Sequence, residues 1–143
     1  MTIHVTNDIS FDLHGDIEVE TLDVGFFETA TYADDTPVAS VAAVQEYGSA
    51  DGRIPERPYF RQAVARLENI VPRVLASAMT ANGFNLRRRD AERVGEVAVS
   101  EIQQSIVNLR EPLNAPSTIA RKGSTNPLID EGVMLGSVAY EVR

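Results

Sequence analysis

The residues of this chain with the chemistry to bind a metal ion lie near its amino terminus. Asp12, His14 and Asp16 alternate along the sequence, so an extended backbone would place all three side chains on one side. Carboxylate oxygens and imidazole nitrogens are metal ligands. Gly15 interrupts the run, however, and His4 has no recognisable partner in the sequence. We therefore interpret the stretch as a solvated acidic arm, and we predict no metal site and no cofactor.

Other residues that could support catalysis are better explained by local structure. Asp34 and Asp35 are adjacent carboxylates, yet they precede Thr36-Pro37 and suit turn and capping roles. Nucleophilic catalysis lacks its components, because the chain has no cysteine and no Gly-x-Ser-x-Gly turn. Residues 121–125 read Arg-Lys-Gly-Ser-Thr, whereas a phosphate-binding loop needs glycine, then lysine, then Ser or Thr. The sequence therefore predicts a protein that is not an enzyme.

The one basic run is Arg87-Arg88-Arg89, followed closely by Asp90 and Glu92. We interpret it as the exposed first turn of a helix. Cations near a helix N-terminus oppose the helix dipole. An external acidic partner is thus an alternative, and the acidic amino-terminal part of a neighbouring subunit would be one such partner.

Composition predicts a single domain over residues 1–143. With 43% hydrophobic residues the chain can bury one ordinary core. The first 14 residues carry few apolar residues in any period, so we expect residues 1–14 to form a flexible or partner-dependent arm. The absence of cysteine, of an N-terminal apolar run and of a stretch of about 20 apolar residues predicts a soluble protein, made in a cytoplasm and not in a membrane.

The net charge of −8 is unevenly distributed. Residues 1–60 contain 12 Asp and Glu against 2 Arg, whereas residues 61–143 contain 9 acidic against 11 basic residues. Acidity of this kind works against binding to phosphate backbones, because duplex affinity comes largely from cations. A conventional DNA-binding domain is therefore excluded. Arginine also outnumbers lysine 12 to 1, which suits protein interfaces because the guanidinium forms bidentate carboxylate pairs.

In the first half of the chain, patterning predicts a strand region and a short helix. Ile17–Tyr32 alternates in part and predicts a hairpin or a bent strand pair. Pro37–Tyr47 predicts a helix capped by Asp35 and closed by a left-handed Gly48. Ser49–Glu56 contains glycine and proline and predicts a loop.

Two long helices follow. Apolar residues spaced three and four apart predict a helix from Phe60 to Asn82, which Pro72 should kink or break. A second helix is predicted over Arg87–Leu109, packed antiparallel to the first. Residues 110–127 predict a long loop. A short turn around Val133 and Met134, capped by Asp130, should follow, and Val138–Val142 predicts a strand. The inner face of the second helix is predicted to contain Ala91, Val94, Ala98, Ile102, Ile106 and Leu109.

These elements predict an α+β fold in which two long antiparallel helices pack on a small antiparallel β-sheet, with long loops between the elements. The segments flanking the helices carry the most specific motifs. They are Gln45-Glu46-Tyr47-Gly48, Ile54–Phe60 (I-P-E-R-P-Y-F), residues 127–132 (P-L-I-D-E-G) and residues 136–142 (G-S-V-A-Y-E-V).

In this order, the motifs resemble those of phage tail-completion or neck proteins, the virion-morphogenesis family. Its elements read E-F-G-T, I-P-x-R-P-F, P-L-I-D-T-G and S-I-x-Y-x-V, and they span about two thirds of this chain. Glu131 stands where the family usually has threonine, so a hydroxyl that could help cap the turn is replaced by a carboxylate. The interface and motif residues implied are Glu46, Tyr47, Gly48, Pro55, Arg57, Pro58, Phe60, Lys122, Gly123, Pro127, Leu128, Asp130, Gly132, Ser137, Tyr140 and Val142.

The resemblance implies a structural virion protein without catalysis. Such subunits form a ring, usually hexameric, between a head-completion or connector protein on one face and tail terminator, tube or sheath protein on the other. Genomic DNA passes through non-specifically, and assembly occurs in the host cytoplasm. We further expect part of residues 1–56 to line the lumen, and Ser49–Glu56 and Leu109–Asn126 to order on contact. The alternatives are a tail-terminator ring protein or, in another class, a small carboxylate- or metal-dependent enzyme.

Overall fold

The computed structural model describes residues 19, 21–123, 125–129 and 132–143. Within this part of the chain, five helices lie between two strands in sequence, and none of the helices is long and apolar enough to cross a membrane. The elements are β1 (Leu22–Phe26), α1 (Val38–Tyr47), α2 (Tyr59–Ala81), α3 (Arg88–Asn108), α4 (Pro116–Lys122), α5 (Val133–Gly136) and β2 (Val138–Val142).

The sheet joins the two ends of the described chain. β1 and β2 pair antiparallel, with Leu22 opposite Val142 and Phe26 opposite Val138. The prediction of a local hairpin or strand pair over Ile17–Tyr32 is therefore wrong for the described residues, because β1 has its partner at the far end of the sequence. The strand prediction over Val138–Val142 is confirmed. Periodicity identifies a strand, but it does not identify the strand's partner.

The predicted antiparallel helix pair is confirmed. The Ser105 hydroxyl near the end of α3 donates to the Tyr59 carbonyl at the start of α2, at 2.6 Å. At the opposite end, the Asn82 amide that follows α2 donates to the Asp90 carboxylate in the first turn of α3. All six residues predicted for the inner face of α3 are buried. On α2, however, only the two ends of the predicted stripe, Phe60 and Ala78, are buried.

The boundaries of α1 and α2 agree with some of the proline and capping signals in the sequence and not with others. α2 continues through Pro72, so the predicted break is absent; the proline is exposed, where its missing N–H costs least. The predicted helix over Pro37–Tyr47 is present, but it begins one residue later, at Val38, with Pro37 as its N-cap, and no side chain caps it. The capping role assigned to Asp35 is wrong. Asp34 instead accepts the Thr36 N–H at 3.1 Å.

The segment predicted as a loop over residues 110–127 contains a helix. α4 begins at Pro116, where proline's fixed φ suits a first helical position, and ends at Gly123 in the left-handed region (φ 68°). The overall α+β prediction is confirmed, since helices pack with a small two-stranded antiparallel sheet. The description as two long helices is incomplete, because three shorter helices accompany them.

The core lies between α1, α2, α3, β1 and β2. Tyr59 packs edge-on against Phe26 and Phe60, with ring centroids 6.4 Å and 6.3 Å apart. Each fully buried large apolar side chain contributes about 1.5–3 kcal/mol. The core also contains Val38, Ala39, Ala42, Ala63, Ile102, Ile106, Leu109, Leu128, Met134 and Val138.

Candidate functional site

The first proximal motif places a buried carboxylate at the start of α2. Glu46 lies in the last turn of α1 and is 1% exposed. Its carboxylate accepts the Phe60 N–H at 2.8 Å and the Arg61 N–H at 3.3 Å. These amides belong to the first turn of α2 and have no acceptor within the helix. An anion at this position also suits the helix dipole. Glu46 thus fixes α1 against the start of α2.

A cation completes this arrangement on the solvent side. Arg61 donates from Nε to Glu46 at 2.6 Å and from Nη2 to Glu56, and these hydrogen bonds raise the pKa of the Arg61 guanidinium. The guanidinium also lies 5.4 Å from the centroid of the Tyr47 ring, within the range of a cation–π contact. Tyr47 remains 55% exposed. The exposed ring therefore belongs to a rigid surface.

Gly48 has a conformation that suits glycine. Its φ is 78°, and a Cβ there would lie 2.9 Å from the Ile54 carbonyl oxygen. Ser49 returns to Ile54 through two hydrogen bonds, from the Ser49 N–H to the Ile54 carbonyl and from the Ile54 N–H to the Ser49 hydroxyl. The segment after α1 is therefore a closed turn, and the predicted loop over Ser49–Glu56 is confirmed. Pro55 is exposed within this loop, and Pro58 precedes the first residue of α2.

Arg57 connects the proximal and distal segments. It is 2% exposed, and its guanidinium donates to four oxygen atoms of neutral groups. Within the described part of the chain, no carboxylate accepts from it. Burial lowers the pKa of Arg57 from its ordinary value. The four acceptors are Gln45 Oε1 at 2.6 Å, the Pro112 carbonyl at 3.0 Å, Asn114 Oδ1 at 3.0 Å and the Leu113 carbonyl at 3.4 Å.

Two asparagines continue this network and were not identified from the sequence. Asn114 Nδ2 donates to the Pro127 carbonyl at 3.2 Å. Asn126 is 8% exposed; its Nδ2 donates to the Val107 carbonyl at 3.0 Å, and its Oδ1 accepts the Leu128 N–H at 2.9 Å. Asparagine directly before Pro127-Leu128 is the signal that could have indicated this role. We call Glu46, Arg57, Asn114 and Asn126, with the groups they bind, the junction.

The distal motif divides into two places. Pro127 and Leu128 are buried at the junction. Tyr140 and Val142 instead lie on β2 beside the first half of α3, where Val142 belongs to a second buried cluster with Ala91. The structure therefore does not bring all the predicted site residues together. Asp130 lies outside the described residues, and its predicted capping role stays a prediction.

The remaining distal residues shape the backbone around α4 and α5. Gly132 precedes α5 in the left-handed region (φ 74°). The Ser137 hydroxyl donates to the Val133 carbonyl at 2.7 Å. Lys122 lies in the last turn of α4, where a cation suits the helix dipole, and Gly123 ends that helix. Lys122 Nζ also donates to the Pro127 carbonyl at 3.4 Å.

A cleft of about 570 Å³ opens beside the junction. Two acceptors of Arg57, Gln45 and Asn114, form part of its wall. Arg121 and Lys122 also line it, and Asp34 is the one carboxylate among the described lining residues. The apolar part of the wall consists of Val41, Pro127, Leu128, Val133 and Met134.

The basic run is largely occupied by contacts within the chain. Arg88 pairs with Glu92 at 3.1 Å and donates to the Val142 carbonyl. Arg89 donates to Asn82 Oδ1 at 2.7 Å. The interpretation as the exposed first turn of a helix is thus confirmed, and these contacts provide local partners for the charges.

Among the described residues, no group of three or more His, Cys, Asp or Glu side chains could hold a metal ion. Asp12, His14 and Asp16 lie outside the described residues, as does the arm predicted over residues 1–14. No protein-family model, curated protein or solved structure matches the chain. The resemblance to neck proteins therefore depends on the motif residues themselves.

Proposed function

We propose that the chain is a structural subunit of a phage neck, which assembles into a ring that completes the tail and joins it to the head connector. The observation that supports this most is the junction. It joins motif residues that are far apart in sequence, since Arg57 binds residues 112–114 and Asn114 in turn binds Pro127. If this chain has the fold of the neck proteins, its separate motifs should pack against one another, as three of them do here.

The structure also explains why particular residue types occupy the motif positions. Glu46 needs a carboxylate to accept two helix-start amides, Gly48 avoids a Cβ clash with the loop backbone, and Arg57 needs several donors to bind separate acceptors. These roles concern rigidity, and no reactive group is among them. They support a subunit that acts by presenting a defined surface.

Exposed apolar side chains provide surfaces for contact between subunits. Tyr47 and Leu113 are 55% and 53% exposed near the junction, while Phe84 is 64% exposed beyond the end of α2. α2 has 23 residues, so these places are separated by about 35 Å along its axis. Exposed apolar side chains at opposite ends of a subunit suit a head-to-tail contact, the kind of contact that closes into rings.

Light scattering and negative-stain electron microscopy of the purified chain test the proposal. We expect a ring whose mass is a multiple, most simply sixfold, of the 15.6 kDa subunit. Leu113→Asp should weaken this assembly, because it places a charge on an exposed apolar surface. Arg73→Asp, an exposed substitution on α2, is the control. A monomer at all concentrations would contradict the proposal, particularly if divalent metal ions raised its melting temperature as expected for the enzyme alternative.

Binding to isolated connector and tail-tube assemblies tests the position in the virion. The neck-completion role predicts binding to both. A ring that binds only the tube would indicate the terminator role instead.

In the assembled ring, a lumen lined by basic or neutral residues would reject the further hypothesis that acidic residues in the 1–56 region let DNA pass without adhering. Hydrogen exchange on free and assembled protein tests whether Ser49–Glu56 and Leu109–Asn126 order on contact.

A further inference from the structure

The described lining of the cleft beside the junction has more cations than carboxylates. The chain has a net charge of −8, yet Arg121 and Lys122 line this cleft, and Asp34 is the one carboxylate among its described lining residues. The buried Arg57 lies behind the wall, where it donates to Gln45 and Asn114. Arg57 has only neutral acceptors in the described part of the chain, so its charge is not compensated locally. A low-dielectric wall strengthens the field of such a charge. The cleft therefore favours an anionic ligand.

Its shape and lining indicate the class of ligand. A volume of about 570 Å³ suits several side chains of a peptide. Leu128, Val133 and Met134 contribute apolar groups to the wall, and Gln45 and Asn114 contribute polar groups. A small inorganic anion would leave the apolar part unused. A peptide with a carboxylate next to a large apolar side chain would satisfy both parts.

The amino-terminal segment of the chain has this composition. Residues 1–18 contain four Asp and Glu and no Lys or Arg. Within them, Ile9, Phe11 and Leu13 alternate with Ser10 and Asp12. In an extended peptide the first three side chains would point to one side and Asp12 to the other. We propose that the cleft binds residues 9–13 of a second copy of the chain, with Phe11 against the apolar wall and Asp12 near Arg121.

Distance favours a second copy over the same copy. Val19 packs with Ala91 in the first half of α3. Asn126, next to the cleft residues Pro127 and Leu128, binds the Val107 carbonyl in the last turn of α3. These two places on α3 are about 24 Å apart. The eight residues from position 11 to position 19 span at most about 28 Å. Binding within one copy would thus require a nearly straight and fully extended path along the molecule.

This inference rests on the proposed function, because it assigns one contact between subunits of the assembly. The test places the photo-crosslinking residue p-benzoylphenylalanine at position 11 of the full chain and mixes ¹⁴N- and ¹⁵N-labelled protein. We expect cross-linked peptides of mixed isotope content that contain residues 38–47 or 116–134. Cross-links within one copy only, cross-links elsewhere, or none would overturn the inference.

Charge reversal identifies the electrostatic part of the contact. Arg121 is exposed and makes no hydrogen bond or ion pair within the described part of the chain, so Arg121→Glu should leave the fold intact. We expect it to reduce the intermolecular cross-link yield at least tenfold, and Asp12→Arg in the same chain to restore it. Arg73→Glu, an exposed substitution with the same change in charge, should have no effect. An unchanged yield with Arg121→Glu would overturn the inference.

The particle mass distinguishes this inference from the proposed function. Rings that form without cross-links to the cleft would refute the inference and leave the proposed function standing. Cross-links to the cleft in open filaments or dimers, with no closed ring, would support the inference and contradict the proposed function.

Discussion

The two ends of the α2–α3 pair use charged side chains in opposite ways. At the junction, Glu46 and Arg57 are 1% and 2% exposed, and each makes several hydrogen bonds to backbone groups or polar side chains. At the other end, Arg87-Arg88-Arg89 are exposed beside Phe84, which is itself 64% exposed. The buried charges at the junction fix the loops around them, whereas the three arginines lie at the exposed start of α3.

This difference indicates where substitutions should matter. A buried charge is costly unless hydrogen bonds satisfy it, so removing one partner leaves other groups buried and unsatisfied. An exposed ion pair such as Arg88–Glu92 contributes little, because water competes for both charges. The junction should therefore determine stability, while the turn should tolerate change.

Arg57→Met should have the largest effect on the junction. Methionine retains an unbranched side chain like the aliphatic part of arginine, but it has none of the donors to Gln45, Asn114 and residues 112–113. We expect the free energy of unfolding to fall by about 3 kcal/mol. Urea denaturation measures it, and Arg53→Met, at an exposed arginine, is the control. Equal effects of the two substitutions would contradict the comparison.

Gly95→Ala tests packing between the two ends. A Cβ at Gly95 would lie 2.5 Å from the Tyr140 ring, so the ring or the helix must move. We expect a loss of about 2 kcal/mol, although alanine favours helix by about 1 kcal/mol. Gly136→Ala is the matched control, because nothing lies within 4 Å of its added Cβ. A Gly95→Ala variant as stable as this control would show that Tyr140 does not require glycine there.

We expect the buried Tyr59 to make the folded protein less stable at alkaline pH. Burial, and then the charge of Glu46, raises the pKa of Tyr59 above its ordinary value of 10.0. Above about pH 10, the tyrosine loses its proton in the unfolded chain but keeps it in the folded protein. The free energy of unfolding should then fall by about 1.4 kcal/mol per pH unit.

Comparison with Tyr59→Phe isolates this contribution. The phenylalanine ring keeps the packing against Phe26 and Phe60 but cannot ionise, so stability should depend less on pH above 10. Tyr47→Phe, at an exposed tyrosine, should keep the wild-type dependence. Identical pH profiles for wild type and Tyr59→Phe, measured by chemical denaturation at each pH, would reject the prediction.

Phe84→Asn should produce the smallest change, and in the opposite direction. Phe84 has a φ of 64°, which is unfavourable for a large side chain and better tolerated by asparagine. We expect a gain of about 1 kcal/mol in the free energy of unfolding. Phe84→Ala removes the ring but keeps the Cβ, so it should not produce this gain. If both variants changed stability equally, ring exposure rather than backbone strain would be responsible.

Local signals in the sequence predicted the helices well and the loops less well. The spacing of Ala91, Val94, Ala98 and Ile102 identified the buried face of α3, because a helix that packs on a core needs this period. Pro116 and Gly123 marked the ends of α4 in the same way, yet the density of polar and small residues in 110–127 favoured a loop. The sequence predicted a kink or a break at Pro72; the break is absent, since α2 continues through this exposed proline.

The candidate site was predicted in its residues but not in its arrangement. Glu46, Gly48 and Arg57 were identified through the motifs that resemble neck proteins. The contacts of Arg57 with residues 112–114 were not predicted, because these residues are distant in sequence and carry no periodic signal. Only side-chain geometry shows that Arg57 joins the two segments.

The sequence by itself determined α1, α2 and α3, the strand composition at the carboxyl end, the α+β class and the uneven charge, since these follow from local propensity and counts of residues. Tertiary structure decided that β1 pairs with β2, that Arg57 is buried, and that Tyr140 lies over Gly95. Each of these contacts joins residues far apart in the chain. Their free energy depends on which surfaces meet and exclude water, and no local pattern encodes that choice.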